Sequence, residues 1–353
     1  MRGMNTRHRA PAQQTLVEGQ TTSPAPLRVS AIVCCYTQRR WADLLAALES
    51  LRGQSLPPVE VLVVVDYCPP LLERLRCDVP WVTAIPNAGE QGLSGARSTG
   101  VQAAVGEVVA LLDDDAVAAP DWLERFTREY ADPDVIAVGG HTEPAWTVGR
   151  PRWFPREFDW VVGCSYLGLP AQRTSVRNVF GGNMSIRREP LIQLGGFHGE
   201  LGKRGERPLG CEETELCIRA HARFPESKVL YQPLAVIRHR VPRERCSLGY
   251  FVRRCFHEGL SKAAVTRIAG RYLALTTERS YVCSVLPRGV LRGMSDAVRR
   301  RRSGGISRAL AITSGLAVTF GGYVAGSVDP MLTNRRPRRL PSRRAQHVPT
   351  QRK

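Results

Sequence analysis

Several features that would assign this chain to other protein classes are missing from its sequence. The ten cysteines include no pair at the C-x-x-C spacing that a structural zinc site commonly uses. The N-terminus has no apolar signal-peptide core, so we expect a cytosolic protein whose cysteines stay reduced. No collagen-like period and no repeat of solenoid length recurs, which excludes fibrous and solenoid architectures.

Acidic residues are scarce relative to basic residues. The 353 residues include 50 Lys and Arg but only 32 Asp and Glu, which gives a formal net charge of +18. A surface of this sign suits nucleic acid, anionic lipid or a phosphorylated substrate, and the charge alone does not choose among them. Hydrophobic residues make up 43% of the chain, which is typical of one large globular domain or two ordinary ones. This composition excludes a wholly disordered chain and a multi-span membrane protein.

The first 120 residues alternate apolar strands with amphipathic helices. Strands are predicted near 29–36, 59–65, 81–85 and 108–112, and helices near 41–51 and 94–105. Ser94 is expected to cap the second helix. This alternation is typical of an α/β fold with a mostly parallel, Rossmann-like sheet and helices on both faces. In such sheets, ligands bind beyond the carboxyl ends of the strands.

Beyond residue 120 the periodicity is weaker. Helices are predicted near 121–130, 211–222 and 248–275, and extended segments near 135–138, 229–231 and 236–239. Residues 141–182 are rich in Trp, Pro, Gly and Arg, and we interpret them as long loops with short elements. The two ends, a leader at 1–27 and a basic tail at 331–353, are polar and are expected to be disordered.

Carboxylates gather at the ends of two predicted strands. Asp66 ends the second strand, and Asp113, Asp114 and Asp115 follow the fourth. Three adjacent carboxylates repel one another unless a cation is present, and oxygen ligands favour Mg²⁺ or Mn²⁺. The alternative for the triple aspartate is a solvated acidic turn. Asp66 either caps a turn or accepts hydrogen bonds from a nucleobase or ribose.

A second acidic cluster and a histidine follow later in the chain. Glu212, Glu213 and Glu215 open a predicted helix, where the helix dipole alone favours acidic residues. One of these carboxylates could instead be a general base that removes a proton from an attacking hydroxyl. His239 lies in an extended segment, where it is either a hydrogen-bonding residue of the fold or a ligand.

In their order along the chain, these segments resemble the GT-A-fold family 2 glycosyltransferases. In the first half the resemblance rests on Ser30-Ala-Ile-Val-Cys-Cys-Tyr, Val-Val-Val-Asp66, Gly92-Leu-Ser-Gly-Ala-Arg97 and Val-Val-Ala-Leu-Leu-Asp113-Asp114-Asp115. In the second half it rests on Phe180-Gly-Gly-Asn183-Met, Gly195-Gly-Phe197, Glu212-Glu213-x-Glu215-Leu and His239. It implies a GT-A glycosyltransferase domain at 28–262. After it we expect a C-terminal helical region at 263–330 that could associate with a membrane.

The resemblance also implies a binding site for a nucleotide-sugar donor. By this resemblance Asp66 contacts the base, Asp113 lies near the ribose with Asp114 beside it, and Arg97 lies near the nucleotide. In this chain Tyr67 follows Asp66, where the family often has a small polar residue.

A metal site and a catalytic base are implied in the same way. Asp115, joined by His239, is expected to hold Mg²⁺ or Mn²⁺ against the donor diphosphate. Glu213 matches the acid of the family's ED-type motif and is the expected base of an inverting displacement. Glu212 is the alternative base, because this chain has Glu-Glu where the family has Glu-Asp. The base must approach from the opposite face of the sugar, so a segment distant from Asp115 suits the role.

Asn183, Trp153 and Trp160 are the candidates for the acceptor side. Asn183 lies in the segment that resembles the acceptor side of the family. Trp153-Phe-Pro and Trp160-Val-Val-Gly-Cys resemble a subgroup that includes glucosyl-dolichyl-phosphate glucuronosyltransferases. With the aromatic residues around them, these tryptophans form either a stacking wall for sugar or lipid or the core of a loop-rich subdomain. The expected acceptor is a glycolipid, such as a polyprenyl-linked one, an oligosaccharide or a polysaccharide.

Residues 309–328 form an uncharged segment near the C-terminus. Its twenty residues are enough to span a bilayer, but eight of them are Gly, Ser or Thr. Arginines flank it at 299–302 and 335–339. Three interpretations follow: a spanning helix, an amphipathic helix on an anionic membrane surface, or a helix packed on the catalytic domain. We expect a cytoplasmic protein, peripheral on the inner face of the cell membrane.

The sequence therefore predicts a metal-dependent, inverting hexosyltransferase. The chain has no QxxRW-like signature, which suggests single sugar additions. One alternative is a basic nucleic-acid-binding protein, although no helix-turn-helix, zinc-finger or RNP-like motif is apparent and no specific nucleic acid is expected as a partner. Another is a nucleotidyltransferase, because similar α/β folds host both reactions. Release of nucleoside diphosphate or of pyrophosphate distinguishes the two enzymes.

Overall fold

A computed structural model of the chain describes residues 27–199, 201–202, 210–270, 278–299 and 303–329. Its centre is a mixed sheet of nine strands. The strands are β1 (Val29–Cys35), β2 (Glu60–Val65), β3 (Thr83–Pro86), β4 (Val108–Asp113), β5 (Ala116–Ala118), β6 (Val135–Trp146), β7 (Thr174–Ser175), β8 (Asn183–Arg187) and β9 (Lys228–Val241). Their order across the sheet is β3-β2-β1-β4-β8-β6-β9-β5, and β7 pairs with β9.

Helices connect and cover these strands. The α-helices within the described ranges are α1 (Trp41–Arg52), α2 (Pro69–Asp78), α3 (Leu93–Ala103), α4 (Trp122–Glu129), α5 (Arg188–Gln193), α6 (Glu212–Arg223), α7 (Leu248–Ala269), α8 (Leu286–Val298) and α9 (Gly305–Val328). Short helical turns lie beside three of these elements: Gln38–Arg40 precedes α1, Arg156–Val162 follows β6, and Arg243–Cys246 precedes α7. A π-helical turn, Tyr281–Val285, leads into α8.

The first four strands form the parallel part of the sheet. β1 pairs in parallel with β2 and β4, and β2 pairs in parallel with β3. Successive side chains of β1 point to opposite faces, so Val33 belongs to a core cluster that includes residues of α1, α2 and α4, while Ile32 belongs to a second cluster that includes residues of α3 and α6. Both faces of β1 are therefore buried, which explains its continuous apolar run. The predicted α/β fold with helices on both faces of the sheet is confirmed.

The second half of the sheet differs in part from its prediction. β6 continues through residues 141–146, which were predicted as loop, because it pairs in parallel with β9 as far as Trp146. The two extended segments predicted at 229–231 and 236–239 are one strand, β9. Its register against β6 shifts between Gly140 and His141, where residues 233–235 are inserted into β9. This insertion interrupts the apolar pattern that a single strand would show.

The start of α3 also differs from its prediction. The residue before the helix is Gly92, whose φ of 128° favours glycine, and no side chain caps the helix there. Ser94 lies inside the first turn, and its hydroxyl donates a hydrogen bond to the Leu201 carbonyl at 2.6 Å. The prediction of Ser94 as the helix cap is wrong, because Ser94 joins α3 to a distant segment instead.

An aromatic core lies beneath the C-terminal helices. The ring centroids of Phe154 and Phe158 lie 5.5 and 5.3 Å from that of Phe251 in α7. Leu286 of α8 and Ile312 of α9 complete this cluster. The aromatic residues around Trp153 and Trp160 therefore pack as the core of a subdomain.

The predicted boundaries of the chain stay predictions. The boundary between 28–262 and 263–330 falls inside α7, which runs from Leu248 to Ala269. The segment 271–275, predicted as the end of this helix, lies outside the described residues. The same holds for the tail at 331–353 and for all of the leader except residue 27.

Close contact between α7 and α9 generates a stability prediction. A Cβ at Gly259 would collide with the Thr319 carbonyl oxygen, whereas one at Gly249 in the same helix meets no atom within 4 Å. We expect Gly259→Ala to lower the free energy of unfolding by about 1–3 kcal/mol. Gly249→Ala should leave it unchanged or raise it by up to about 1 kcal/mol. Denaturant unfolding measures both, and equal stabilities would contradict the close packing of α7 on α9.

Candidate active site

A cleft opens at the carboxyl ends of the parallel strands. Residues from β1, β4 and α3 line it, together with the turns that follow β1, β2 and β4: Cys34, Cys35, Tyr36, Arg40, Asp66, Leu93, Ala96, Asp113, Asp114 and Asp115. Four of the predicted donor and metal residues therefore share one cleft, where ligands of parallel α/β sheets bind.

The turn from β4 to β5 brings an aspartate to a histidine. Ala116 of β5 lies opposite His239 of β9 in an antiparallel register. The preceding Asp115 thereby places its Oδ1 3.0 Å from His239 Nε2. Ligand atoms of Asp113, Asp115 and His239 all lie within 4.8 Å of one another. The three predicted residues are gathered although about 125 positions separate the aspartates from the histidine in the chain.

The chemistry of this group fits a divalent cation. Two carboxylates and one imidazole form an oxygen- and nitrogen-rich donor set of the kind that Mn²⁺ and Mg²⁺ accept. Burial, reinforced by the negative charge of Asp115, raises the pKa of Asp114 to about 7. The Oδ2 atom of Asp114 is also buried without a hydrogen-bond partner. Added positive charge would relieve this excess of buried carboxylate.

Two arginines that the sequence analysis did not single out neutralise the cluster. Arg40 Nη1 lies 2.8 Å from Asp114 Oδ1 and 3.2 Å from Asp115 Oδ2. Arg245 Nη2 lies 3.2 Å from the same Asp115 oxygen. Although burial opposes ionisation, His239 and Arg245 hold the pKa of Asp115 well below its usual range. A cation that binds Asp115 must therefore compete with the two guanidinium groups.

Arg97 connects the first acidic cluster to the second. Its buried guanidinium donates from Nη1 to Glu212 Oε1 at 2.8 Å and lies 3.3 Å, through Nη2, from Asp113 Oδ1. Gly181 and Gly182 leave room for this contact. A Cβ at Gly181 would lie 2.5 Å from Arg97 Nη1, and one at Gly182 would collide with the Asp113 carboxylate. The Gly-Gly pair of the predicted acceptor-side segment thus fits against the donor-side residues.

The two glutamates at the start of α6 differ in their surroundings. The helix follows Cys211, whose φ of 71° is left-handed. Glu212 is buried against Arg97, and its second oxygen, Oε2, has no hydrogen-bond partner. Taken as a whole residue, Glu213 is only partly buried. Burial of its carboxyl group and the charge of Glu212 raise the pKa of Glu213 to about 8. Glu212 is therefore engaged by an arginine, whereas Glu213 binds a proton near neutral pH.

Asp66 holds the loop between β3 and α3. Its carboxylate accepts hydrogen bonds from the Gly92 amide at 3.0 and 3.1 Å and from Asn87 Nδ2 at 2.7 Å. Tyr67, at a φ of 51°, donates from its hydroxyl to the Gly89 carbonyl at 3.0 Å. Asp66 therefore lines the cleft and also fixes the backbone that borders it.

The three residues predicted for the acceptor side are not gathered with the others. Asn183 is fully buried, where its side chain accepts from Trp122 Nε1 at 2.7 Å and donates to the His141 carbonyl at 3.0 Å. The ring centroids of Trp153 and Phe251 lie 5.5 Å apart, and Trp160 Nε1 donates a hydrogen bond to the Tyr281 hydroxyl at 3.1 Å. Asn183 thus links strands within the sheet, and both tryptophans belong to the aromatic core.

Comparison with known proteins finds similar sequences over most of the chain. The sequence pattern of the family described as Glycosyl transferase family 2 matches residues 30–195. The glucosyl-dolichyl phosphate glucuronosyltransferase of Haloferax volcanii is 30% identical over 313 residues, which cover 88% of this chain and 99% of that protein. The succinoglycan biosynthesis protein ExoM of Rhizobium meliloti is 26% identical over 239 residues, 66% of this chain and 73% of that protein.

Among solved structures, a mannosyltransferase from Pyrobaculum calidifontis shares the fold. It was solved in complex with GDP-Man and Mn²⁺. The two chains superpose with a TM-score of 0.53 at 19% sequence identity, over 84% of this chain and 88% of that one.

The raised pKa of Glu213 generates a prediction about pH and stability. The folded state holds this proton more tightly than the unfolded state, in which the pKa is near 4.5. This residue should therefore lower the free energy of unfolding as pH rises from about 4.5 to about 8. Glu213→Gln removes that loss, so the variant should be more stable than the wild type at pH 8.5 and equal to it near pH 4.

Thermal unfolding at the two pH values measures the difference. The exposed Glu226, in the loop after α6, supplies the matched control as Glu226→Gln, which should follow the wild type at both values. A Glu213→Gln variant whose stability relative to the wild type does not change with pH would contradict the assigned environment.

Proposed function

This chain belongs to glycosyltransferase family 2, and from that premise we propose that it transfers one sugar from a nucleotide-sugar donor to a glycolipid acceptor with inversion at the anomeric carbon. Membership rests on the relative that is 30% identical over nearly its whole length, together with the family pattern at residues 30–195. The predicted GT-A fold and glycosyltransferase activity are thereby confirmed. The alternatives, a nucleic-acid-binding protein and a nucleotidyltransferase, receive no support from the comparisons.

The observation that carries the proposal is the joining of two acidic clusters through Arg97. Asp113 ends β4 in the cleft, and Glu212 begins α6, so Arg97 holds the proposed donor side against the proposed base. A displacement at a sugar requires a leaving group on one face and a base on the other. Elements distant in the chain, but fixed to each other, suit that requirement.

Donor binding is assigned to the cleft. In the proposal, Asp66 receives the nucleobase end of the donor, and Asp113 receives the ribose. Arg97 and Asp114 position residues that border the bound donor, because Arg97 pairs with Asp113 and Asp114 pairs with Arg40. Carboxylates accept hydrogen bonds from base N–H groups and ribose hydroxyls, which makes these roles chemically reasonable.

Asp115 and His239, with Asp113, would hold a divalent cation. Mn²⁺ is preferred over Mg²⁺ in the proposal, because an imidazole ligand suits transition metals better than Mg²⁺. The mannosyltransferase of the same fold was solved with Mn²⁺. When bound, such a cation stabilises the negative charge that develops on the departing diphosphate.

Glu213 is the proposed base. Its carboxylate takes the proton of the acceptor hydroxyl while the hydroxyl oxygen forms a bond to the anomeric carbon and the bond from that carbon to the diphosphate oxygen breaks. A pKa of about 8 makes the ionised carboxylate of Glu213 a stronger base than that of an ordinary glutamate, and only this ionised fraction can accept the proton. Glu212 is the positioning residue, because its partner Arg97 fixes the start of α6.

The acceptor is proposed to be a polyprenyl-linked glycolipid. The name of the Haloferax volcanii relative, a glucosyl-dolichyl phosphate glucuronosyltransferase, describes an acceptor of this class. A lipid-linked acceptor also suits a membrane-associated protein, for which the apolar helix α9 is a candidate element. In the proposal the protein works on the cytoplasmic face of the membrane, and Trp153 and Trp160 support the acceptor side through the aromatic core rather than by stacking on sugar.

Two amide variants test the assignment of the base. Glu213→Gln should lower the rate of sugar transfer at least about 100-fold, because general-base catalysis is lost. It should leave the dissociation constant of the nucleoside diphosphate with Mn²⁺ within a few-fold of the wild type. Transfer by mass spectrometry of the glycolipid product and binding by calorimetry measure the two effects.

The matched control is Glu212→Gln, which keeps a hydrogen bond to Arg97 but removes the charge. Its loss of activity should be smaller and should be accompanied by lower thermal stability. Blocked transfer in Glu212→Gln alone, with full turnover in Glu213→Gln, would assign the base to Glu212 instead.

A further inference from the structure

The C-terminal helices carry most of the large hydrophobic residues that are exposed among the described residues. Of the 20 large hydrophobic residues exposed there, 12 lie on α7, α8 and α9. They are Leu248, Val252, Phe256, Ile268, Leu291, Met294, Val298, Ile306, Leu310, Phe320, Val324 and Val328. We call this set the C-terminal apolar face. Apolar residues concentrated in this way mark an interaction surface, whereas singly scattered ones do not.

The helix α9 has two distinct sides. Its inner side is buried and includes Ala309, Ile312 and Gly315. Its outer side includes Leu310, which is 63% exposed, and Phe320, which is 65% exposed. No charged residue occurs at 309–328, so the outer side is uncharged over twenty positions. Such a helix presents one apolar side to its surroundings while the other side packs on protein.

The packing of its inner side indicates whether α9 spans a membrane or lies on its surface. α9 is long and apolar enough to cross a bilayer by length and composition, and 33% of its most apolar window is buried. A Cβ at Gly315 would lie 2.6 Å from a ring atom of Phe158, and one at Gly322 would collide with the backbone of Phe256. α8 approaches closely as well, because a Cβ at Gly293 would lie 3.2 Å from Ala309 Cβ. A spanning α9 would have to leave this core, so only its outer side is available to lipid.

The charges around the face select an anionic surface. Every charged side chain that is exposed on α7, α8 and α9 is an arginine: Arg253, Arg267, Arg288 and Arg292. The acidic residues of these helices are Glu258 and Asp296, which are partly buried and pair with Lys262 at 3.5 Å and with Arg308 at 2.7 Å. Apolar side chains bordered by arginines are typical of helices that lie in the interface of anionic membranes.

The face begins beside the candidate active site. Arg245, which contacts Asp115, lies three residues before Leu248, the first residue of α7. Three residues of chain reach at most about 10 Å. A surface that rests on this face would therefore lie close to the cleft.

We propose that the C-terminal apolar face docks the protein on the surface of an anionic bilayer, with α7, α8 and α9 lying in the interface and no helix of the three crossing it. The occupant of the face is the lipid headgroup and upper acyl region. The proposal extends the membrane association named in the proposed function to a defined surface. It depends on neither the sugar nor the acceptor, and binding to acceptor-free vesicles tests it separately.

The first test measures binding of the full chain to vesicles. Phosphatidylglycerol vesicles should bind it at least tenfold more tightly than phosphatidylcholine vesicles in a flotation assay. The double variant Leu310→Glu with Phe320→Glu should bind phosphatidylglycerol vesicles at least tenfold more weakly. The control double variant Leu234→Glu with Val59→Glu, which places the same two charges at exposed apolar residues outside the C-terminal helices, should bind as the wild type does. Circular dichroism checks that each variant is folded.

A second measurement reports depth and does not depend on the charged variants. In Phe320→Trp the new indole should shift its emission to the blue on vesicles, relative to the wild type, and brominated lipids should quench it. Carbonate at high pH should release the wild type from vesicles, as it does for proteins that lie on the surface.

Three outcomes would overturn the proposal. Wild-type binding by the double glutamate variant, without a blue shift in Phe320→Trp, would show attraction through basic residues alone. Conversion of a dimer to a monomer by that variant, with unchanged vesicle binding, would assign the face to a second copy of the chain. Resistance of the wild type to carbonate would show a spanning helix.

Discussion

The geometry of the site depends on one buried guanidinium group. Arg97 lies between Asp113 at the end of β4 and Glu212 at the start of α6, and a buried charge that loses its partners costs several kcal/mol. The two carboxylates must therefore stay where they are, which fixes the helix that carries Glu213 relative to the sheet. The glycines at 181 and 182 serve the same contact, since any side chain there would displace Arg97 or Asp113.

Around Arg97, basic side chains neutralise an excess of carboxylate groups, and a metal ion can take the place of these side chains. Asp115 is contacted by Arg40, Arg245 and His239, and it is also the proposed ligand of a divalent cation. A nucleotide-sugar adds a diphosphate whose oxygens are good acceptors for guanidinium groups. Binding of metal and donor together therefore suits the charges better than binding of either alone. The same use of arginine recurs at the C-terminal apolar face, where the partner is proposed to be lipid phosphate.

Local sequence patterns predicted the parallel strands and the acidic residues at their ends, because these features depend on near neighbours and on the general position of ligands in α/β sheets. Contacts between distant segments could not be predicted from these local patterns. The ion pairs of Arg40 depend on the pairing of β1 with β4, which brings the turns after the two strands together. Those of Arg245 depend on how β9 returns beside β5, and the extension of β6 depends on its pairing with β9. Asn183 illustrates the same limit, since the motif gave no sign that its side chain hydrogen-bonds Trp122 and the His141 carbonyl. The resemblance to a family supplied the roles that periodicity alone left open.

Metal-dependent release of a nucleoside diphosphate is the most direct test of the central claim. The full chain, with Mn²⁺ or Mg²⁺, would be incubated with a panel of UDP-, GDP- and dTDP-sugars, with and without EDTA, and the nucleotide products separated. The account predicts nucleoside diphosphate from one donor, abolished by EDTA and by Asp115→Asn. Release of pyrophosphate, or the absence of both hydrolysis and calorimetric binding for every donor in the presence of metal, would contradict it.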